Sequence, residues 1–160
     1  MDFFDQQTMI VLGEIVLSMF LGGLIGFERE VSEKPAGLRT HMLVAGAATL
    51  LVSLGAQITA SYLSIFSPDV ITVDPVRVIQ AIIVGISFLG AGTIVLRKEQ
   101  EQIEGLTTAA AVLFTAGIGI AVALGLWAIS IGSTLIILIV VWLIGKIEVR
   151  IWGENAKRDQ

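Results

Sequence analysis

From Leu106 to Gly145 the chain runs for forty residues without a charge. As one helix this stretch would be about 60 Å long, twice the hydrocarbon thickness of a bilayer and longer than most single domains are wide. It therefore has to fold back on itself. The expected turn is Ala123 to Trp127, where Gly125 is free to adopt turn geometry and Trp127 suits a membrane interface.

The rest of the chain agrees with a membrane protein. Of 160 residues, 55% are hydrophobic and 15% charged, and the mean hydropathy is +0.89, which no ordinary soluble domain combines. There is no Cys, so disulfides, thiolate metal sites, Cys nucleophiles and Cys-linked lipids are excluded. The formal charge of −4 matters less than where the charges lie, and nucleic acid is not an expected partner. The N-terminus lacks the basic region of a signal peptide, so the first apolar segment is expected to stay.

Read at about 20 apolar residues per crossing, the chain gives an all-α, polytopic membrane protein. Its five transmembrane helices are expected at about 8–27, 41–62, 76–96, 106–123 and 126–146. Arg29, Lys34 and Arg39 fall in the first loop, Arg97 and Lys98 in the third, and Lys146, Arg150, Lys157 and Arg158 in the tail, while Arg77 alone lies opposite. The distribution of Lys and Arg then places the N-terminus outside and the C-terminus in the cytoplasm.

In lipid, helices are held by close packing of small residues. Ser18, Gly22 and Gly26 recur at intervals of four in the first segment, Ala45, Thr49 and Ser53 in the second, and Gly117, Ala121 and Gly125 in the fourth. Packing is the favoured reading of these glycines over substrate contact. Glu14, one turn before Ser18, is costly within a span and so is a functional candidate, unless it reaches water at the outer end. A shift of 68 residues places Gly22 on Gly90, Arg29 on Arg97, and Gly37-Leu38-Arg39-Thr40 on Gly105-Leu106-Thr107-Thr108. Two readings stay open: a parallel repeat of helices 1–2 and 3–4, or the biased composition of membrane helices.

The densest charge is the run Glu28-Arg29-Glu30 with Glu33, Lys34 and Arg39. The end of the first helix favours Arg29 and disfavours the two acids, so Lys34 and Arg39 are the expected ion-pair partners, with Arg97 another if the repeat places it nearby. Pro35 ends the helix, Gly37 permits a left-handed turn, and Thr40 is expected to serve as N-cap or first-turn residue of the second helix. Asp74 is expected to cap the third helix, with Pro75 at its first position, and Arg77 to pair with Asp74 or Glu14. Conventional catalysis finds no support, since His41 is the only His and no nucleophile and base are paired. The chain is not expected to be an enzyme or to hold a cofactor. Mg²⁺ could use Glu28, Glu30 or Asp74 but leaves a weak sequence signature.

Gly-Gly-Leu-Ile-Gly-Phe-Glu-Arg-Glu, Lys-Pro-Ala-Gly-Leu-Arg-Thr-His-Met-Leu-Val, Asp-Pro-Val-Arg-Val-Ile, Gly-Ile-Ser-Phe-Leu-Gly-Ala-Gly-Thr-Ile and Glu-Gly-Leu-Thr-Thr-Ala-Ala occur in this order. Together they resemble the MgtC/SapB family of bacterial inner-membrane proteins. The resemblance implies a regulatory role linked to magnesium limitation and, in pathogens, to survival in host cells, with the F-type ATP synthase as a membrane partner. The family's first name implies the alternative, a transporter or channel for Mg²⁺ or another small ion. Its signature falls on Glu28, Arg29, Glu30, Lys34, Pro35, Gly37, Arg39, Thr40, Asp74, Arg77 and Gly105 to Thr108. Many relatives carry a soluble C-terminal domain, whereas residues 1–160 are expected to form the transmembrane domain alone. A homodimer or other homo-oligomer is expected, because five helices with several glycine faces leave one face open.

Overall fold

The computed structural model describes residues 5–65, 74–97 and 102–155, with side chains described for most of these. Five helices carry the fold: α1 (Gln6–Val31), α2 (Leu38–Ile65), α3 (Pro75–Ala91), α4 (Leu106–Ala123) and α5 (Trp127–Asn155). By length and composition α1, α2 and α4 are each apolar enough to cross a membrane. Asp5 caps α1 by accepting the Thr8 N–H at 2.8 Å, and hydrogen bonding from the Thr8 side chain, then from its N–H, holds the Asp5 carboxyl below the ordinary value.

Helices α4 and α5 part where the charge-free stretch predicts. Leu126 N–H bonds the Ala121 carbonyl, Gly125 N–H bonds that of Val122, and Gly125 has φ +70, which together make a Schellman end with glycine at its left-handed position. Gly125 thus belongs to the turn and is not part of a packing face on α4.

The third segment differs from expectation. It stops at Ala91 and not near residue 96, because Thr93 turns back: its N–H and its hydroxyl both bond the Gly90 carbonyl, at 2.9 and 2.7 Å. The chain then forms a short antiparallel hairpin, β1 (Val95–Arg97) and β2 (Gln102–Glu104), with Leu96 opposite Ile103. Gly105 follows with φ +91, and a Cβ there would strike the Thr93 carbonyl. That close approach fastens the start of α4 to the end of α3.

Packing centres on α4, which touches all four other helices. Against α2, Gly119 brings its backbone onto Ala45, where a Cβ would collide with the Ala45 carbonyl. Thr49 reinforces the contact by donating its hydroxyl to the Gly119 carbonyl at 2.9 Å. Against α1, α2 closes equally tightly: a Cβ on Gly22 would lie 2.6 Å from the His41 carbonyl, and one on Gly26 2.7 Å from the Leu38 Cα. Ser18 on the same face is buried and bonds its own helix at Ile15. In α4 the seated glycine is Gly119, aligned with buried Thr108, Ala111 and Thr115. Gly117 faces open space and Ala121 is half-buried, so the packing face of α4 runs through Gly119 and not through the expected stripe Gly117 to Ala121.

The 68-residue shift meets several of these contacts. Leu38 and Leu106 both begin helices, and the bonds from His41 N–H to Gly37 and from Ala109 N–H to Gly105 correspond. Gly22 faces the His41 carbonyl as Gly90 faces that of Ala109, more loosely, at 3.5 Å. The correspondence lapses at Arg97, which sits in a strand where Arg29 is helical.

Replacing Gly119 by Val is expected to lower stability by about 1–3 kcal/mol through overpacking, seen as a lower melting temperature in detergent, whereas Gly117→Ala, in open space, is expected to leave it unchanged.

Candidate functional site

The loop from α1 to α2 is built by backbone chemistry more than by charge pairing. The α1 end is a second Schellman motif: Lys34 N–H bonds the Arg29 carbonyl at 2.9 Å and Glu33 N–H that of Glu30 at 3.1 Å. Its left-handed residue is Glu33, with φ 54, where glycine is usual. The left-handed turn that Gly37 would permit is therefore made four residues earlier, at Glu33. What Gly37 supplies is room, since a Cβ there would lie 2.8 Å from a Glu30 carboxylate oxygen.

That carboxylate closes the loop. Glu30 reaches from the last turn of α1 to accept the Leu38 N–H at 2.8 Å, and so caps α2, where a negative group is favoured by the unpaired N–H groups and the dipole. Thr40 is consequently a first-turn residue and not the cap. Ala36, between Pro35 and Gly37, is buried and helps hold the loop against the bundle.

Glu28 and Arg29 pair with each other. Arg29 Nε and Nη2 donate to the two Glu28 oxygens at 2.6 and 3.1 Å, a bidentate arrangement that Ser32 extends by donating its hydroxyl to Glu28 at 3.0 Å. Arg29 is only 3% exposed. His41 is fully buried beside them; its Nδ1–H donates to the Gly37 carbonyl at 3.0 Å, which leaves Nε2 as the unprotonated nitrogen, buried without a hydrogen-bond partner. Lys34 and Arg39, the expected partners of the acids, have exposed side chains. The side chain of Arg97 lies outside the described residues.

The remaining candidates are scattered. Asp74 caps α3 by accepting the Val76 N–H at 3.0 Å, and Arg77 stands 3.8 Å from it, both exposed, so Glu14 is not the partner of Arg77. Glu14 is half-buried on α1. Thr107 is exposed, and Thr108 is buried in the first turn of α4. Ser53 is buried with its hydroxyl unpartnered. Sequence reasoning missed Gly119 and the buried hydroxyls Thr115, Ser130 and Thr134; the available signal was spacing on one helix face, Thr115 two turns after Thr108 and four residues before Gly119 on α4, and Ser130 four residues before Thr134 on α5. The Glu30 cap was out of reach of local pattern because it spans eight residues.

The arrangement coincides with a known family, as residues 15–150 match the MgtC family. The chain belongs to the MgtC family. It is 41% identical over 125 residues to protein MgtC of Salmonella typhimurium strain LT2, covering 78% of this chain and 48% of that protein. It is 34% identical over 149 residues to protein SapB of Bacillus subtilis strain 168, with 91% and 61% covered. To YhiD of Escherichia coli strain K12, whose name describes a candidate magnesium transporter, it is 33% identical over 141 residues, with 88% and 63% covered. The chain thus spans about half to three fifths of these relatives' lengths. No solved structure matches.

Two substitutions separate cap from charge. Glu33→Gly is expected to stabilise the protein by about 1 kcal/mol by relieving the left-handed conformation, while Glu30→Ala is expected to cost about 1 kcal/mol by uncapping α2; reversible denaturation in mixed micelles measures both. Glu28→Leu is expected to cost more, about 3 kcal/mol, because it leaves the buried Arg29 without its carboxylate; the double variant Glu28→Leu, Arg29→Met recovers much of that loss in the same assay.

Proposed function

We propose that this MgtC-family chain is a non-catalytic regulator in the bacterial inner membrane, linked to magnesium limitation or homeostasis and acting through contacts with other membrane proteins. The observation that carries the reading is the close seam of α1, α2 and α4, where Gly22, Gly26 and Gly119 are filled by neighbouring backbone. Such a seam suits a rigid scaffold. A path for Mg²⁺ through this seam, since the ion gives up its waters reluctantly, would have to part those contacts.

The acids weighed for Mg²⁺ also have other work. Glu28 is engaged by Arg29 and Ser32, Glu30 by the α2 N-terminus, and Asp74 by the α3 N-terminus. In this reading the loop from α1 to α2 faces the cytoplasm, together with the C-terminus, and the N-terminus lies outside. The two helix pairs form a parallel repeat, supported by helix starts 68 residues apart. A homodimer or larger homo-oligomer presents the exposed Lys34 and Arg39 to a partner, for which the family resemblance suggests the F-type ATP synthase.

Transport of Mg²⁺ or another small ion is the second reading, favoured by the name of the Escherichia coli relative and by Glu14, a carboxylate inside an apolar helix. Purified protein in proteoliposomes loaded with a Mg²⁺-sensitive dye is expected to show no influx above empty vesicles. Influx that disappears in Glu14→Gln would establish transport and overturn the regulatory reading.

A further inference from the structure

Among the described residues, His41 is the titratable side chain that is fully buried and incompletely paired. Its place is set by α1. A Cβ on Gly22 would lie against the His41 carbonyl and one on Gly26 would lie 3.0 Å from the His41 Cβ, and Arg29 follows on the same helix face at the i, i+4, i+7 spacing. The ring is turned back toward the loop by the bond from Nδ1–H to the Gly37 carbonyl at 3.0 Å. A carbonyl only accepts, so the proton is on Nδ1, and the lone pair of Nε2 is buried without a donor.

This setting suits the neutral ring. A proton on Nε2 would have no acceptor and would add a second cation near the buried Arg29, a costly burial unless a carboxylate answers it. Both oxygens of Glu28 are committed to Arg29, and Glu30 caps Leu38. Glu33, Lys34 and Arg39 are exposed. On the other side of α2, α4 carries no titratable residue. The charged residue of α3, Arg77, lies toward the far end of α2, where Gly55 meets Val78. The ring's bond to Gly37 and the Glu30 bond to Leu38 hold adjacent residues, so a ring that moves takes the loop with it.

We propose that His41 is a proton-operated latch on the loop from α1 to α2: the neutral ring holds the loop closed, and its protonation opens the loop and releases the Glu30 cap. The closed loop binds one proton fewer than the open one. Closure is therefore complete above the ordinary imidazole range, about 6.5, and is lost as pH falls below it. With the loop in the cytoplasm, as proposed above, the pH sensed is that of the cytoplasm; the latch itself holds whether the bundle regulates or moves an ion.

Hydrogen–deuterium exchange of the full chain in phosphatidylcholine nanodiscs tests this. The amides to follow are those of Leu38 and His41, both bonded in the closed loop. After correction for intrinsic exchange, their protection is expected to fall about tenfold from about pH 7.5 to about pH 5.5, the factor for a proton bound only by the open loop. His41→Asn, which keeps a donor for Gly37 and cannot be charged, should hold its protection constant over that range. Arg29→Met frees Glu28 to receive the charged ring and should shrink or reverse the fall, a second reading if the Asn side chain disturbs the fold. Glu30→Gln should lower protection at both pH values and keep the fall. Constant protection in the unaltered chain, an equal fall in His41→Asn, a full fall in Arg29→Met, or a fall that vanishes in Glu30→Gln would each overturn the proposal.

Discussion

The closeness of backbone to backbone where α1, α2 and α4 meet is the constraint on which the rest of this structure depends. Within lipid, burying apolar side chains gains little over contact with acyl chains, so association rests on packing area at short range. Gly22 and Gly26 let α2 lie against α1, and Gly119 lets α4 lie against Ala45. The hydrogen bond from Thr49 to Gly119 is the kind that contributes about 0.6 kcal/mol in membrane proteins, too little to hold two helices together by itself. It fixes register in a contact that the missing side chains make possible.

From that seam the loop chemistry follows. Helices so close leave a short connection, and six residues, Ser32 to Gly37, have to reverse the chain. The reversal consumes the charges that look in the sequence like an ion-pair network. Glu30 becomes a cap, Glu28 and Arg29 satisfy each other at the edge of the bundle, and Glu33 accepts a backbone conformation that costs energy. The cations Lys34 and Arg39 are thereby left outward, available to lipid or to another protein.

Much of this was legible in advance. Forty residues without a charge forced a turn, and Gly125 marked it. The glycine stripe Gly22 and Gly26 marked the face of α1, and Asp74 with Pro75 marked the start of α3. What escaped has physical causes. Gly117 and Gly119 both fit a four-residue spacing, and only the buried Thr108, Ala111 and Thr115 distinguish the face that is used. The end of α3 was hidden because Val95 and Leu96 continue the hydropathy of the helix while pairing as a strand. The freedom of φ at Gly37 suggests a turn, whereas its role is the space it leaves for a carboxylate eight residues from its partner N–H.

The place of α4 has a consequence for biogenesis. Thr49 and Gly119 are 70 residues apart, so the seam cannot close until the fourth helix has left the ribosome and entered the bilayer. Until then the hairpin of α1 and α2 presents a face with Ala45 and Thr49 uncovered, held by its own glycine contacts and by the Glu30 cap. The loop thus stabilises the half-made protein as much as the finished one. The order of synthesis, and not only the final packing, gives a reason for so much backbone chemistry within six residues.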